Sequence, residues 1–125
     1  MIKKLNMNNK KLFLHGGGAS IRSFIHIDDV CEATYKIMKN KNNSGEFYHI
    51  STKNYISIKE LVKLICKIYN YNYHNLVTNS KDRIGKDKFY KLDTKKTQKL
   101  GWNSKISLYE GIKKTGDWLI KNKNK

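Results

Sequence analysis

Two copies of one four-residue pattern set most of what this chain can fold into. Ser57-Ile58-Lys59-Glu60 and Ser107-Leu108-Tyr109-Glu110 are both capping boxes. In such a box the serine hydroxyl accepts from a backbone N–H three residues on, and the glutamate reaches back to the serine's own N–H. Apolar residues at helical spacing accompany each box: Leu61, Leu64, Ile65 and Ile68 after the first, and Leu108, Ile112, Thr115 and Leu119 along the second. A third helix is expected to be capped by Asp28 or Asp29, to carry Val30, Ala33, Ile37 and Met38 on one face, and to end near Asn43-Ser44-Gly45. Between the helices the chain reads as extended. Lys11 to His15 is a short strand, Gly16-Gly17-Gly18 a turn, and Ser23 to Ile27 a second extended run. Glu46 to Ser51 reads as a strand with Phe47 on one face and Tyr48 and Ile50 on the other. Asn75 to Asn79 and Lys88 to Leu92 are further extended candidates, and Thr94 to Leu100 is a short helix stopped by Gly101. The result is an α/β chain of α+β character.

With 125 residues there is room for one domain or part of one. Residues 1–10 are polar and Asn/Lys-rich, the expected disordered lead-in; 11–120 carry the fold, and 121–125 form a basic tail. No apolar run approaches the roughly 20 residues that cross a bilayer, and no signal-peptide pattern opens the chain, so the expectation is a cytoplasmic protein without a membrane partner. The net charge of +16 favours acidic ligands. Its lysines are nevertheless scattered from Lys3 to Lys125 among many asparagines and isoleucines, with no proline, which reads as compositional bias and solvated surface rather than a nucleic-acid stripe. Cys31 and Cys66 form no C-x-x-C pair and are expected as buried thiols.

Only two of the 26 basic residues are arginines, Arg22 and Arg83, each in a segment marked by glycine and aspartate. A guanidinium is a rigid fork matched to phosphate oxygens, whereas a lysine ammonium is a hydrated point charge. Other candidates carry less. The three glycines lack the later glycine and following helix of a dinucleotide fingerprint. Tyr35/Lys39, Tyr55/Lys59 and Tyr109/Lys113 match Y-x-x-x-K, a spacing that a lysine-rich chain produces by chance. The histidines at 15, 26, 49 and 74 lack metal-site spacing. Tyr69, Tyr71 and Tyr73 read as covers for the edge of the core.

Two segments remain: Gly16-Gly-Gly-Ala-Ser-Ile-Arg-Ser-Phe-Ile-His-Ile-Asp-Asp-Val30, and Lys81-Asp-Arg-Ile-Gly-Lys-Asp-Lys-Phe-Tyr-Lys-Leu-Asp93 leading to Leu100-Gly101-Trp102. With the Glu46 to Ser51 run and the helix capped by Ser57, they resemble, in order, the carboxyl-terminal part of extended short-chain dehydrogenases acting on nucleotide-sugars. The nearest group is dTDP-glucose 4,6-dehydratase, and the resemblance runs from about Lys11 to Trp118. It implies that Arg22 binds the substrate diphosphate and that Arg83 belongs to a loop closing over the nucleotide. It places Phe13, Leu14 and His15 along the base, largely through backbone groups, and Ser57 near a helix-cap contact. Ser23, Ile84 and Lys86 depart from the family's usual Asp, Pro and His.

The family's NAD loop, catalytic Tyr-Lys pair and Asp-Glu pair lie upstream of the matching region and have no counterpart here. By resemblance, then, this is a nucleotide-sugar-binding portion without the NAD-binding Rossmann half. NAD would belong to the complete enzyme, which oxidises the sugar C4 hydroxyl, eliminates water between C5 and C6 and returns the hydride. The implied partners are a nucleotide-sugar and a separately encoded amino-terminal half, with full-length relatives forming homodimers. Two other readings stand beside it: a non-catalytic basic module for nucleotides or nucleic acid, and an inert truncated remnant.

Overall fold

The computed structural model describes residues 11–41, 44–82, 85 and 87–122. The expected lead-in, the end of the basic tail, and Arg83, Ile84 and Lys86 lie outside the described residues. Helix α2, Ile58–Ile68, starts where its sequence dictates. The Ser57 hydroxyl accepts from the Glu60 N–H at 3.1 Å, and the Glu60 carboxylate accepts from the Ser57 N–H at 3.1 Å. Its apolar stripe is wide enough to serve two cores. Leu61 and Ile65 pack with Ile112 of the last helix, α5 (Leu108–Lys121), while Val62 and Cys66 pack with Leu14.

Leu14 lies in β1 (Leu12–His15), which pairs in parallel with β4 (Val77–Ser80). A parallel pair needs a long crossover, and here the connection includes α2. A second ribbon is antiparallel: β2 (Ile21–Ser23) against β3 (Tyr55–Ser57), with Arg22 opposite Ile56. Helix α1 (Ile27–Lys39), the one-turn α3 (Tyr73–Leu76), the short α4 (Lys95–Gln98) and a 3-10 turn at Gly16–Gly18 complete the described elements. Tyr69, Tyr71 and Tyr73 cover the core edges as expected. Tyr69 crosses α5 at Gly116, where a side-chain carbon would overlap its hydroxyl; the hydroxyl donates to the Lys113 carbonyl at 3.2 Å.

Several expectations need correcting. The cap of α1 is His26, whose Nδ1 accepts from the Asp28 N–H at 3.3 Å. Asp29 turns inward instead and is 2 % exposed. Its two carboxylate oxygens accept from the Lys105 and Ile106 N–H groups, each at 3.0 Å, and its carbonyl accepts from the Trp102 indole at 3.1 Å. Satisfying two buried amides at once is worth more than one cap, and an acid in the first turn still faces the positive end of the helix. Helix α1 ends at Lys39, and Met38, expected on its buried face, is exposed. Thr115 is exposed too; Gly116 is buried in its place.

The extended run expected at Ser23 to Ile27 sits two residues earlier, because β3 fixes it by pairing. Asn72 caps α3 by accepting from the His74 and Asn75 N–H groups, which moves the following strand to Val77. Glu46 to Ser51 shows the expected alternation, with Phe47 exposed and Tyr48 and Ile50 half-buried, but it pairs with no strand among the described residues. Helix α4 holds it: Thr97 donates to the His49 carbonyl at 2.6 Å, and Lys96 pairs with Glu46. Of Lys88 to Leu92, Phe89 bridges to Ile21. Cys66 is buried as expected, but Cys31 is exposed. No helix of the described residues is long and apolar enough to cross a membrane.

Candidate functional site

Strand β1 delivers the three residues expected along a base. Leu14 points into the core at 3 % exposure, whereas Phe13 is 60 % exposed. His15 stands at the strand end, its Nδ1 2.9 Å from the Ser80 hydroxyl and 3.3 Å from the Lys81 carbonyl. The alternation of a strand thus commits Leu14's side chain to packing. The glycine turn follows with all three φ angles positive. A side-chain carbon on Gly18 would lie 2.9 Å from the Lys59 backbone nitrogen, so glycine lets the turn sit directly on the start of α2. The turn then runs into β2 rather than into a helix, so it lacks the geometry of a dinucleotide cradle.

Arg22 is held where the two singled-out segments meet. Its Nη1 donates to the Ile21 carbonyl at 2.6 Å and its Nη2 to the Asp87 carbonyl at 2.7 Å. The guanidinium carbon lies 4.7 Å from the centre of the Tyr90 ring, a cation–π stack. The Tyr90 hydroxyl donates a hydrogen bond to the Asp87 carboxylate. That bond, together with the carboxylate's charge, raises the phenol above its ordinary value, and the Arg22 charge opposes the rise. The segments touch elsewhere as well. Ile21 N–H donates to the Lys88 carbonyl at 2.8 Å, the Tyr55 and Phe89 rings lie 5.1 Å apart, and a side-chain carbon on Gly16 would overlap the Asp82 carboxyl. Arg83 lies outside the described residues; Asp82, which precedes it in sequence, lies against the glycine turn.

Ser57 pairs with Ile21 across the ribbon, so it lies one position from Arg22's partner. Its hydroxyl is engaged within the capping box, also donating to Glu60 at 2.7 Å. The hydroxyl and the backbone N–H of Ser57 lower the Glu60 carboxyl below its ordinary value. Ser23, which stands where the family has Asp, lies 2.8 Å from the Thr52 hydroxyl and accepts from Ser51 at 3.1 Å. Beside Tyr55 a cleft of about 640 Å³ opens, lined by Thr52, Lys53, Lys91 and Lys95 among others.

The Y-x-x-x-K pairs do not assemble a catalytic set. Lys39 sits over the Tyr35 ring at 4.6 Å, and Tyr55 and Lys59 belong to a strand and a helix. No metal-binding cluster occurs among the described residues. Sequence reading missed Asp87, Tyr90 and Asp29 as positioning residues. The D-x-x-Y spacing was visible inside the second segment, but its target 65 residues away was not.

The family model of GDP-mannose 4,6 dehydratase matches residues 1–115. The chain is 36 % identical over 123 residues to human dTDP-D-glucose 4,6-dehydratase, covering 94 % of this chain and 35 % of that protein. It is 35 % identical over 118 residues to a trifunctional UDP-glucose 4,6-dehydratase/UDP-4-keto-6-deoxy-D-glucose 3,5-epimerase/UDP-4-keto-L-rhamnose-reductase of Arabidopsis thaliana, covering 94 % of this chain and 18 % of that one. Among solved structures, dTDP-glucose 4,6-dehydratase from Streptomyces venezuelae with NAD bound superposes with a TM-score of 0.87 at 27 % identity, over 98 % of this chain and 38 % of that one. UDP-glucose 4-epimerase from Thermotoga maritima with UDP-glucose gives 0.85 at 26 % identity, over 98 % and 39 %. The chain therefore spans between about a fifth and two-fifths of these relatives, and its mixed α/β fold corresponds to the C-terminal part of Rossmann-type dehydratases. The ordered motifs, their convergence on Arg22 and these matches agree that the chain belongs to the GDP-mannose 4,6 dehydratase family, within the extended short-chain dehydrogenases that comprise nucleotide-sugar dehydratases and epimerases.

Proposed function

We propose that this chain grips the nucleotide diphosphate of a nucleotide-sugar for an NAD-dependent 4,6-dehydratase or epimerase, closest to the dTDP-glucose 4,6-dehydratases. The observation that carries this reading is the Arg22 fork, oriented by two backbone carbonyls and a ring at the seam of the two motif segments. In this reading Arg22 takes the diphosphate and Arg83 closes over the nucleotide. Phe13, Leu14 and His15 run along the base through their backbone, and Ser57 stands at the helix cap beside them. Ser57 acts through placement, since its hydroxyl is occupied by Glu60.

The described residues do not fit a dinucleotide, because the glycine turn opens a strand. NAD is therefore assigned to a Rossmann half acting with this chain. A cytoplasmic location belongs to the same reading, and the two free thiols are compatible with a reducing compartment. The test is titration of the purified chain with UDP and dTDP. Arg22→Ala should weaken binding at least about tenfold, because a charge-assisted contact is worth about 1.5 to 3 kcal/mol and a tenfold change about 1.4 kcal/mol. An unchanged affinity overturns the assignment.

A further inference from the structure

Asp87 and Tyr90 are exposed loop residues, so core packing does not explain their mutual hydrogen bond. What they share is Arg22. The Asp87 backbone carbonyl accepts from the guanidinium, and the Tyr90 ring lies along its face. The Asp87 carboxylate, a group able to neutralise an arginine, is bonded to the Tyr90 hydroxyl instead. Arg22 enters no ion pair among the described residues. Neutral carbonyls orient a fork without cancelling its charge, whereas a carboxylate in its plane would occupy the N–H groups a phosphate needs.

We propose that Asp87 and Tyr90 form a positioning clamp that aims the Arg22 fork and keeps the Asp87 carboxylate off it, leaving the guanidinium for an anionic ligand of the diphosphate class. The proposal rests on the reading of Arg22 given above. Two further observations support it. A phenol ordinarily titrates at about 10 and the bond to Asp87 raises this one further, so the hydroxyl keeps its proton and the clamp stays closed at neutral pH. The ring also fixes the guanidinium plane in advance, which removes part of the ordering cost of binding.

With only two arginines in the chain, side-chain Nε–Hε NMR gives two signals, and Arg83→Lys assigns them. Tyr90→Phe keeps the ring but frees the Asp87 carboxylate to swing onto Arg22. It should slow solvent exchange of the Arg22 Hε proton and weaken UDP binding about fivefold, and adding Asp87→Asn should reverse both effects. An Arg22 exchange rate unchanged in Tyr90→Phe, or a loss that Asp87→Asn fails to reverse, overturns the clamp. If the exchange rates behave as expected but Arg22→Ala binds UDP as tightly as the natural chain, the clamp stands and the nucleotide-grip reading falls.

Discussion

At the residue scale, what separates one side chain from its chemical twin is its surroundings. Cys31 and Cys66 look alike in the sequence, yet one thiol is exposed and the other is packed against Leu14 and Val62, where burial pushes it up from its usual value. A thiol reagent at neutral pH should therefore label Cys31 rapidly in the folded chain and reach Cys66 only after denaturation; two equally fast labels would contradict the packing. Arg22 was legible because arginine is rare here and because glycine and aspartate flank it. Asp29 was not. Its aspartate-before-helix context predicts a cap, but its partners are the Lys105 and Ile106 amides, more than seventy residues away, and no local rule registers them.

At the element scale, local signals located helices better than strands. The capping box at Ser57 is self-contained, and the structure reproduces both halves. Ser57→Ala should cost about 0.5 to 2 kcal/mol in urea unfolding at pH 7. The penalty should shrink in acid. Because the cap lowers the folded-state pKa of Glu60, its contribution is present above the ordinary carboxylate value and fades as pH falls through the lowered one. A penalty independent of pH would mean that Glu60 adds nothing. Strands depend on partners that sequence proximity does not reveal. Residues 46–51 have the right alternation yet pair with no described strand, and the three-residue β3 has too little pattern to announce itself. At Ser107 the forward half of the second box forms, at 3.2 Å to the Glu110 N–H, while Glu110 also lies 3.2 Å from Lys114.

For the molecule as a whole, α2 joins two cores, and Tyr69 ties it to α5 over Gly116. Burial first, then the neighbouring Asp117 charge, raise the Tyr69 phenol. A raised folded-state pKa means that its contribution is intact below the ordinary phenol value near 10 and lost as pH climbs through the raised one. Tyr69→Phe should accordingly flatten the alkaline fall in the urea midpoint above about pH 10; an identical fall in both proteins would remove Tyr69 from the account. The α/β class was foreshadowed by motif order, whereas the meeting of the two motif segments and the β1–β4 pairing were not, because neither a loop motif nor a four-residue strand specifies a distant partner. That pairing carries a cost in time during synthesis. His15 and Ser80 are 65 residues apart, so at about 5 to 20 residues per second the ribosome releases Leu12-Phe13-Leu14 roughly 3 to 13 s before its partner strand emerges. For that interval the nascent chain exposes Leu14, the one residue of the three that the finished fold fully buries, without the partner strand that helps to cover it.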